Sequence, residues 1–141
     1  MASPDQAKNV LRRLFDDVLT QDKLNLIDEL YAEDYEFDAP ALSASSGPAQ
    51  SGREAFKARV RAFRTAFPDV VYKIVNIVSD GEIVATSFAF SGTHKGTFAG
   101  FAPTGRHSTV TGVHFARLVN GRIKKTWAGF TNIGEALAPN K

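Results

Sequence analysis

The dipeptide Asn120-Gly121 separates two stretches, 107–118 and 122–131, in which the character of the side chain alternates from one residue to the next. Alternation of this kind is typical of a β-strand, because successive side chains point to opposite faces of a sheet. An Asn-Gly pair between two strands favours a type I′ turn, whose two central residues both need a positive φ. The sequence therefore predicts a long β-hairpin, and the rest of the chain must supply its partners.

A second predicted hairpin precedes the first one. Residues 70–78 and 82–91 are rich in β-branched and aromatic residues, and Asp80-Gly81 lies between them as a turn. The two faces of the 82–91 strand differ in the size of their side chains. Its bulky face consists of Val84, Thr86, Phe88 and Phe90. A strand with one bulky face and one small face suits a curved sheet that packs helices on one side.

The N-terminal half is predicted to be mainly helical. Ser3-Pro4-Asp5 is typical of a helix start, with a capping Ser, a Pro in the first turn and an acid that complements the helix dipole. Apolar residues then recur at helical spacing, at Val10, Leu11, Leu14, Phe15, Val18 and Leu19. A second, short helix carries Leu24, Ile27, Leu30 and Tyr31.

A third helix is predicted over 52–66, and Pro68 prevents it from continuing further. Apart from a short strand-like piece at 35–38, three helices thus precede a four-stranded meander, which is the ordering of an α+β protein. The length of 141 residues suits one domain over 1–141 with a core of its own.

Composition excludes several classes of function. There is no Cys, so neither a disulfide, a thiol nucleophile nor a Cys-ligated metal is available. The net charge is +2, and the basic residues of 53–64 are interpreted as a solvated helix face, so no nucleic-acid partner is predicted. The three His lack metal-ligand spacing, and no phosphate or dinucleotide fingerprint is present, which predicts neither a metal nor a cofactor. Without a membrane-length apolar run or a signal-peptide pattern, we expect a cytoplasmic protein with no membrane partner.

One segment carries a family resemblance. Residues 92–105 read Gly-Thr-His-x-Gly-x-Phe-x-Gly-x-x-Pro-Thr-Gly, and 52–54 and 66–69 fit the same family. Together with Gly112, Arg117, 121–123 and Trp127, this pattern resembles the SnoaL-like polyketide cyclases of the NTF2-like superfamily. The resemblance implies a cone-shaped α+β barrel, with a curved mixed or antiparallel sheet packed on three N-terminal helices. It also implies a homodimer or homotetramer that pairs through the open face of the sheet, and a hydrophobic small-molecule substrate.

His114 is the first candidate for catalysis. It shares a strand face with the small residues Gly112 and Ala116, which leave room around the ring, and an imidazole can give or take a proton near neutral pH. The alternative is a satisfied histidine of the core or of a surface sheet. The cyclases that this chain resembles have a His at this strand position.

Those cyclases pair that His with an acid–base Asp on the following strand, where this chain has Ala128. Removal of a proton alpha to a carbonyl needs a base, and Ala is not one. We therefore expect Asp38, which precedes Pro40, to be the second catalytic residue, since an apolar wall would raise its pKa towards neutrality. The alternative role of Asp38 is a cap or turn carboxylate.

An apolar wall is predicted around these groups, and eleven Phe are available to build a core or a pocket. The predicted substrate-binding residues are Phe15, Tyr35, Phe88, His94, Phe101 and Trp127. His94 is interpreted mainly as a residue that positions the end of a strand, with cavity lining as the alternative. The loop 42–51 is predicted to be a flap over the cavity mouth.

The predicted function is that of a cofactor-independent cyclase or isomerase of natural-product biosynthesis. It would close or rearrange a hydrophobic polyketide- or terpenoid-like intermediate by an intramolecular aldol step or by epoxide opening. Two alternatives remain open at this point. One is a cofactor-independent hydroxylase of the same family, and the other is a non-catalytic module for ligand binding or dimerisation.

Overall fold

The computed structural model describes residues 3–38, 52–98 and 100–137, with the side chain of Asp38 outside that description. Its α-helices are α1 (Pro4–Arg13), α2 (Ile27–Leu30), α3 (Arg53–Ala66) and α4 (Ile133–Leu137). A π-helical segment (Leu14–Thr20) continues α1, and a 3₁₀ turn (Leu24–Leu26) precedes α2. The strands are β1 (Tyr31–Asp38), β2 (Val71–Asp80), β3 (Ile83–Thr93), β4 (His107–Val119) and β5 (Arg122–Phe130).

The five strands form one mixed sheet in the order β1-β5-β4-β3-β2. Strands β2 to β5 are the predicted antiparallel meander, and both residues of its last turn, Asn120 and Gly121, have positive φ of 53° and 78° as predicted. Strand β1 adds a fifth member parallel to β5. The prediction placed Tyr31 on the second helix, and this was wrong, because Tyr31 begins β1 and its ring packs against Tyr35 and Phe56.

The first helix begins as the sequence predicts and then changes its winding. Ser3 Oγ accepts a hydrogen bond from the Gln6 N–H at 3.1 Å, and Gln6 Oε1 accepts one from the Ser3 N–H at 2.9 Å, which is a capping box. The segment after Arg13 is π-helical. Its apolar residues repeat every four positions, which exceeds the 3.6 residues of an α-helical turn and suits the wider i→i+5 turn.

The helices cover one face of the sheet. The bulky face of β3 is buried as predicted, with Val84 and Phe90 at 0% exposure. The opposite face exposes apolar side chains, at Val71, Val75, Val78, Val113, Phe115 and Val119. None of the described helices combines the length and hydrophobicity that a membrane crossing requires.

The basic residues of α3 serve the fold more than the solvated-face interpretation suggested. Arg53 Nε donates to the Tyr31 carbonyl at 3.0 Å, and Arg64 Nη2 donates to the last carbonyls of the π-helical segment. Lys57 forms ion pairs with Asp28 and Glu54 at 3.0 Å. These contacts fasten α3 to the N-terminal helices and to β1.

Candidate functional site

A partly enclosed cavity lies between the sheet and the helices. Its volume is about 60 Å³, which is room for roughly four to six water molecules. The π-helical segment contributes three lining residues and β1 contributes two, while α3 contributes four and the strands β2 to β5 the rest. The lining residues are Leu14, Phe15, Leu19, Tyr35, Phe37, Phe56, Arg59, Val60, Phe63, Tyr72, Phe88, His114, Ala128 and Phe130. The wall is therefore apolar with a few polar groups, which is the composition of a small-molecule site, while the volume is well below the roughly 300 to 1,000 Å³ of ligand pockets in general.

His114 lies in the middle of the sheet, where β4 places it directly between Thr86 of β3 and Ala128 of β5. Its ring meets Phe15 edge-on, with centroids 5.6 Å apart and an interplanar angle of 81°. The Nδ1 atom is buried and has no hydrogen-bond partner in the described part of the chain. Burial lowers the pKa of His114 to about 4, so the imidazole is neutral at pH 7.

Gly112 shapes the wall beside His114. It pairs with Phe88 of β3, and a Cβ atom built on it would lie 2.6 Å from Phe88 Cζ and 2.6 Å from the Gly129 carbonyl oxygen. Any side chain at this position would therefore displace the Phe88 ring and the neighbouring strand. The absence of a Cβ lets Phe88 lie across β4 and form one wall of the cavity.

Tyr35 and Arg59 bring polar groups to the other side of the cavity. Tyr35 Oη lies 2.6 Å from Thr126 Oγ1. Burial raises the pKa of Tyr35 to about 12, against the hydrogen bond to Thr126 and the positive charge of Arg59. The Arg59 guanidinium carbon lies 3.7 Å from the centroid of the Phe37 ring.

Arg59 was not among the predicted site residues, because it was grouped with the solvated face of its helix. A signal was present in the spacing. Phe56, Val60 and Phe63 mark the buried face of α3, and Arg59 follows Phe56 by three positions. Residues at i, i+3, i+4 and i+7 share one face of a helix, so the pattern already placed this cation inward.

Of the predicted site residues, the structure brings Phe15, Tyr35, Phe88 and His114 together around the cavity. Asp38 ends β1 with its backbone beside Trp127, and its side chain lies outside the described residues. The predicted flap 42–51 lies outside them as well.

The other three predicted site residues are not part of the cavity lining. Trp127 stands between the inward-facing Thr126 and Ala128, so alternation along β5 turns it to the outer face, where Lys125 Nζ lies 5.2 Å from its ring. Phe101 pairs with Phe98 in the connection between β3 and β4. His94 is fully buried in the same connection, stacked on Phe67 at 5.3 Å.

Comparison with known proteins identifies the family. The model of the SnoaL-like polyketide cyclases matches residues 9–134 of this chain. The chain belongs to the SnoaL-like polyketide cyclase family. The resemblance noted in the sequence is thereby confirmed.

Solved structures place this SnoaL-like protein among proteins of the same fold. IdmH from Streptomyces antibioticus, a proposed polyketide cyclase, is 28% identical with a TM-score of 0.75, over 91% of this chain and 94% of IdmH. A proposed polyketide cyclase from Acidithiobacillus ferrooxidans is 24% identical with a TM-score of 0.79, over 95% and 94% of the two chains. AclR from Streptomyces galilaeus, a proposed hydroxylase, is 20% identical with a TM-score of 0.75, over 94% of this chain and 82% of AclR. No protein of curated function matches.

These likenesses confirm the predicted α+β, NTF2-like fold with its curved mixed sheet. Within that SnoaL-like fold, the residue that faces His114 across β4 and β5 is Ala128, and it lines the cavity. The side chain nearest to the candidate base on the following strand is thus a methyl group. Strand β5 therefore offers no polar side chain directly opposite His114.

Proposed function

We propose that this SnoaL-like protein closes or rearranges a hydrophobic polyketide- or terpenoid-like intermediate by acid–base catalysis, without a cofactor. The observation that carries the proposal is the neutral imidazole of His114 in an otherwise mainly apolar cavity. Phe15, Tyr35 and Phe88 would contact the substrate there. Holding a flexible substrate in a reactive shape would supply much of the rate.

The proposed chemistry for an aldol closure balances without an oxidant or a reductant. His114 accepts a proton from the carbon alpha to one carbonyl, and the electron pair of that C–H bond becomes an enolate. The enolate carbon then forms a C–C bond to a second carbonyl of the same molecule. The imidazolium returns its proton to the new alkoxide, so the product is an isomer of the substrate.

The ring nitrogen that we assign to this step is Nε2, because Nδ1 is buried on the protein side. With a pKa of about 4, the imidazole of His114 is neutral at pH 7, so one of its two ring nitrogens is unprotonated and can accept a proton. Negative charge that develops on the substrate stabilises the imidazolium and raises its pKa towards the working pH. The two charges therefore appear together in the transition state.

We further propose Asp38 as the second proton-transfer group, since Ala128 cannot serve. Strand β1 is the neighbour of β5 in the sheet, and Asp38 pairs with Trp127 at the end of β1, one residue from Ala128. Along β1, Asp38 directly follows Phe37, which lines the cavity.

A second candidate function is a non-catalytic ligand-binding module. The methyl group of Ala128 opposite His114 favours it, because the resemblance to the cyclases implies an acid–base Asp at this position. Turnover distinguishes the two candidates, whereas ligand binding alone does not.

The test uses exchange of the alpha hydrogens of acetophenone in D₂O, followed by proton NMR, and mass-spectrometric detection of isomerisation across a panel of polyketide-like polyketones. We expect His114→Gln and Asp38→Asn each to lower the rate by about 100-fold or more, the usual share of acid–base catalysis. His107→Gln is the matched control, because His107 lies on the same strand with its side chain 64% exposed. Full activity in both site variants would exclude this mechanism.

We also propose that the protein assembles as a homodimer or homotetramer through the outer face of the sheet. The apolar residues Val113 and Phe115 are 40% and 44% exposed at the centre of that face, and exposed apolar patches mark association sites. Light scattering on Phe115→Glu should show a smaller species than the unmodified protein. An unchanged mass would count against this interface.

A further inference from the structure

We propose that Arg59, assisted by Tyr35, binds the oxyanion that forms on the substrate when His114 accepts its alpha proton. This inference rests on the proposed function and names the groups that bind the developing charge.

Arg59 is the only Lys or Arg among the described residues that line the cavity. The neighbouring cations of α3 do not line the cavity: Arg53 and Arg64 donate to backbone carbonyls, and Lys57 pairs with two carboxylates. Arg61, two residues further along, is exposed. One turn of the helix therefore directs a single positive charge into the apolar interior.

Aromatic packing holds that charge in place. The guanidinium lies over the Phe37 ring at 3.7 Å from its centroid, and a cation over an aromatic face is attracted by the ring quadrupole. Burial lowers the pKa of Arg59 while the nearby Tyr35 and Tyr31 raise it, and a guanidinium stays protonated in proteins in any case. The cavity thus has a permanent, positioned cation.

Tyr35 extends this cation into a donor pair. Its hydroxyl is fixed 2.6 Å from Thr126 Oγ1, so the Thr can accept the phenol proton or donate its own. The hydrogen bond and the charge of Arg59 both act on the same phenol. The two side chains come from β1 and α3, and both line the cavity with His114.

This arrangement divides the chemistry between two walls. When His114 on β4 accepts the alpha proton, negative charge develops on the carbonyl oxygen of the substrate. A cation that is already in position stabilises that oxygen strongly, because the surroundings are mainly apolar. A planar guanidinium with several N–H donors suits a conjugated oxyanion better than a lone hydroxyl group does.

The experiment measures binding of p-nitrophenol, whose neutral and ionised forms absorb at different wavelengths, and of its neutral analogue 4-nitroanisole. The unmodified protein is expected to bind the phenolate in preference to the anisole. Arg59→Met should weaken phenolate binding by about 10- to 100-fold, the range of a lost charge-assisted hydrogen bond, and should change anisole binding by less than about threefold. Arg61→Met is the matched control on the same helix and should leave both affinities unchanged.

Two further variants guard against a folding defect. Arg59→Lys keeps the charge without the planar donors and should lie between the unmodified protein and Arg59→Met. Tyr35→Phe removes one hydroxyl and should weaken phenolate binding by a few-fold. Circular dichroism verifies that each variant is folded.

Three results would overturn the inference. They are equal phenolate affinity in Arg59→Met, equal loss of both ligands in that variant, and no preference for the phenolate in the unmodified protein. The proposed function fails separately, when His114→Gln retains full alpha-hydrogen exchange. His114→Gln itself is expected to keep phenolate binding, because the oxyanion contacts come from the other wall.

Discussion

His114 and His94 are two buried histidines with much in common. Burial lowers the pKa of each ring below its ordinary value. Each ring also leaves one buried nitrogen without a hydrogen-bond partner in the described residues, Nδ1 of His114 and Nε2 of His94. By these two properties alone, either residue would pass as a catalytic candidate.

Their neighbours differ. His94 stacks on Phe67 with an interplanar angle of 17°, its Nδ1 lies 3.3 Å from Thr104 Oγ1, and its backbone bonds to Arg106 and Gly105 across the β3–β4 connection. His114 has regular strand partners and a ring edge on Phe15, and it faces the cavity. A low pKa therefore reports burial in both cases, and only access to a cavity separates a candidate base from a packed ring.

The largest effect on stability is expected at the packed ring. His94→Ala should lower the free energy of unfolding by about 3 to 4 kcal/mol, because it leaves a void beside Phe67 and removes the contact with Thr104. Urea unfolding followed by circular dichroism measures this. His107→Ala, on an exposed histidine, should change stability by less than about 0.5 kcal/mol. A similar small change at His94 would contradict the distinction between the two rings.

The second effect is the part of the pH dependence of stability that His114 contributes. Between its folded pKa of about 4 and the ordinary value of 6.5, the unfolded chain binds a proton that the folded chain does not. The free energy of unfolding therefore keeps its full His114 contribution above about pH 6.5 and decreases as the pH falls to about 4, because the unfolded chain takes up the proton first. The loss amounts to roughly 3 kcal/mol.

The test compares the free energy of unfolding of the unmodified protein with that of His114→Leu at several pH values across this pH range. The difference between the two proteins isolates His114, because His94 and the carboxylates contribute equally to both. Parallel curves for the two proteins would show that the imidazole is solvated.

The smallest expected effect is a stabilisation, opposite in sign to the destabilisation of His94→Ala. At pH 7, His114→Leu should raise the free energy of unfolding by about 1 kcal/mol, because it removes a buried ring nitrogen that lacks a partner. The same denaturant titration measures it, together with the loss of activity expected of a site residue. A destabilisation as large as that of His94→Ala would mean that the His114 ring contributes to the packing of the core as much as the His94 ring does.

Local pattern predicted the local structure well. Alternation located β3, β4 and β5, and Asn120-Gly121 located the last turn, because these signals lie within a few residues of one another in the chain. Strand β1 was predicted only as the short piece 35–38, because its partner β5 is some ninety residues away. Parallel strands are not joined by a short turn that could be recognised in the sequence.

The site was harder to predict than the fold. His114 and Phe88 were found from the sizes of their strand neighbours. Trp127 and Ala128 are adjacent, and which of them faces the cavity depends on the register with β4, which the sequence of β5 does not state. Arg59 was predictable from helix spacing but was outweighed by the general rule that arginines lie at the surface.

Gly112 limits how this fold can change the ligands that it accepts. A single added methyl group there would meet the Gly129 carbonyl oxygen as well as the Phe88 ring at 2.6 Å, so it would disturb the pairing of β4 with β5 together with the cavity wall. Divergence in what the protein accepts is therefore expected at other lining residues, while this position stays a glycine.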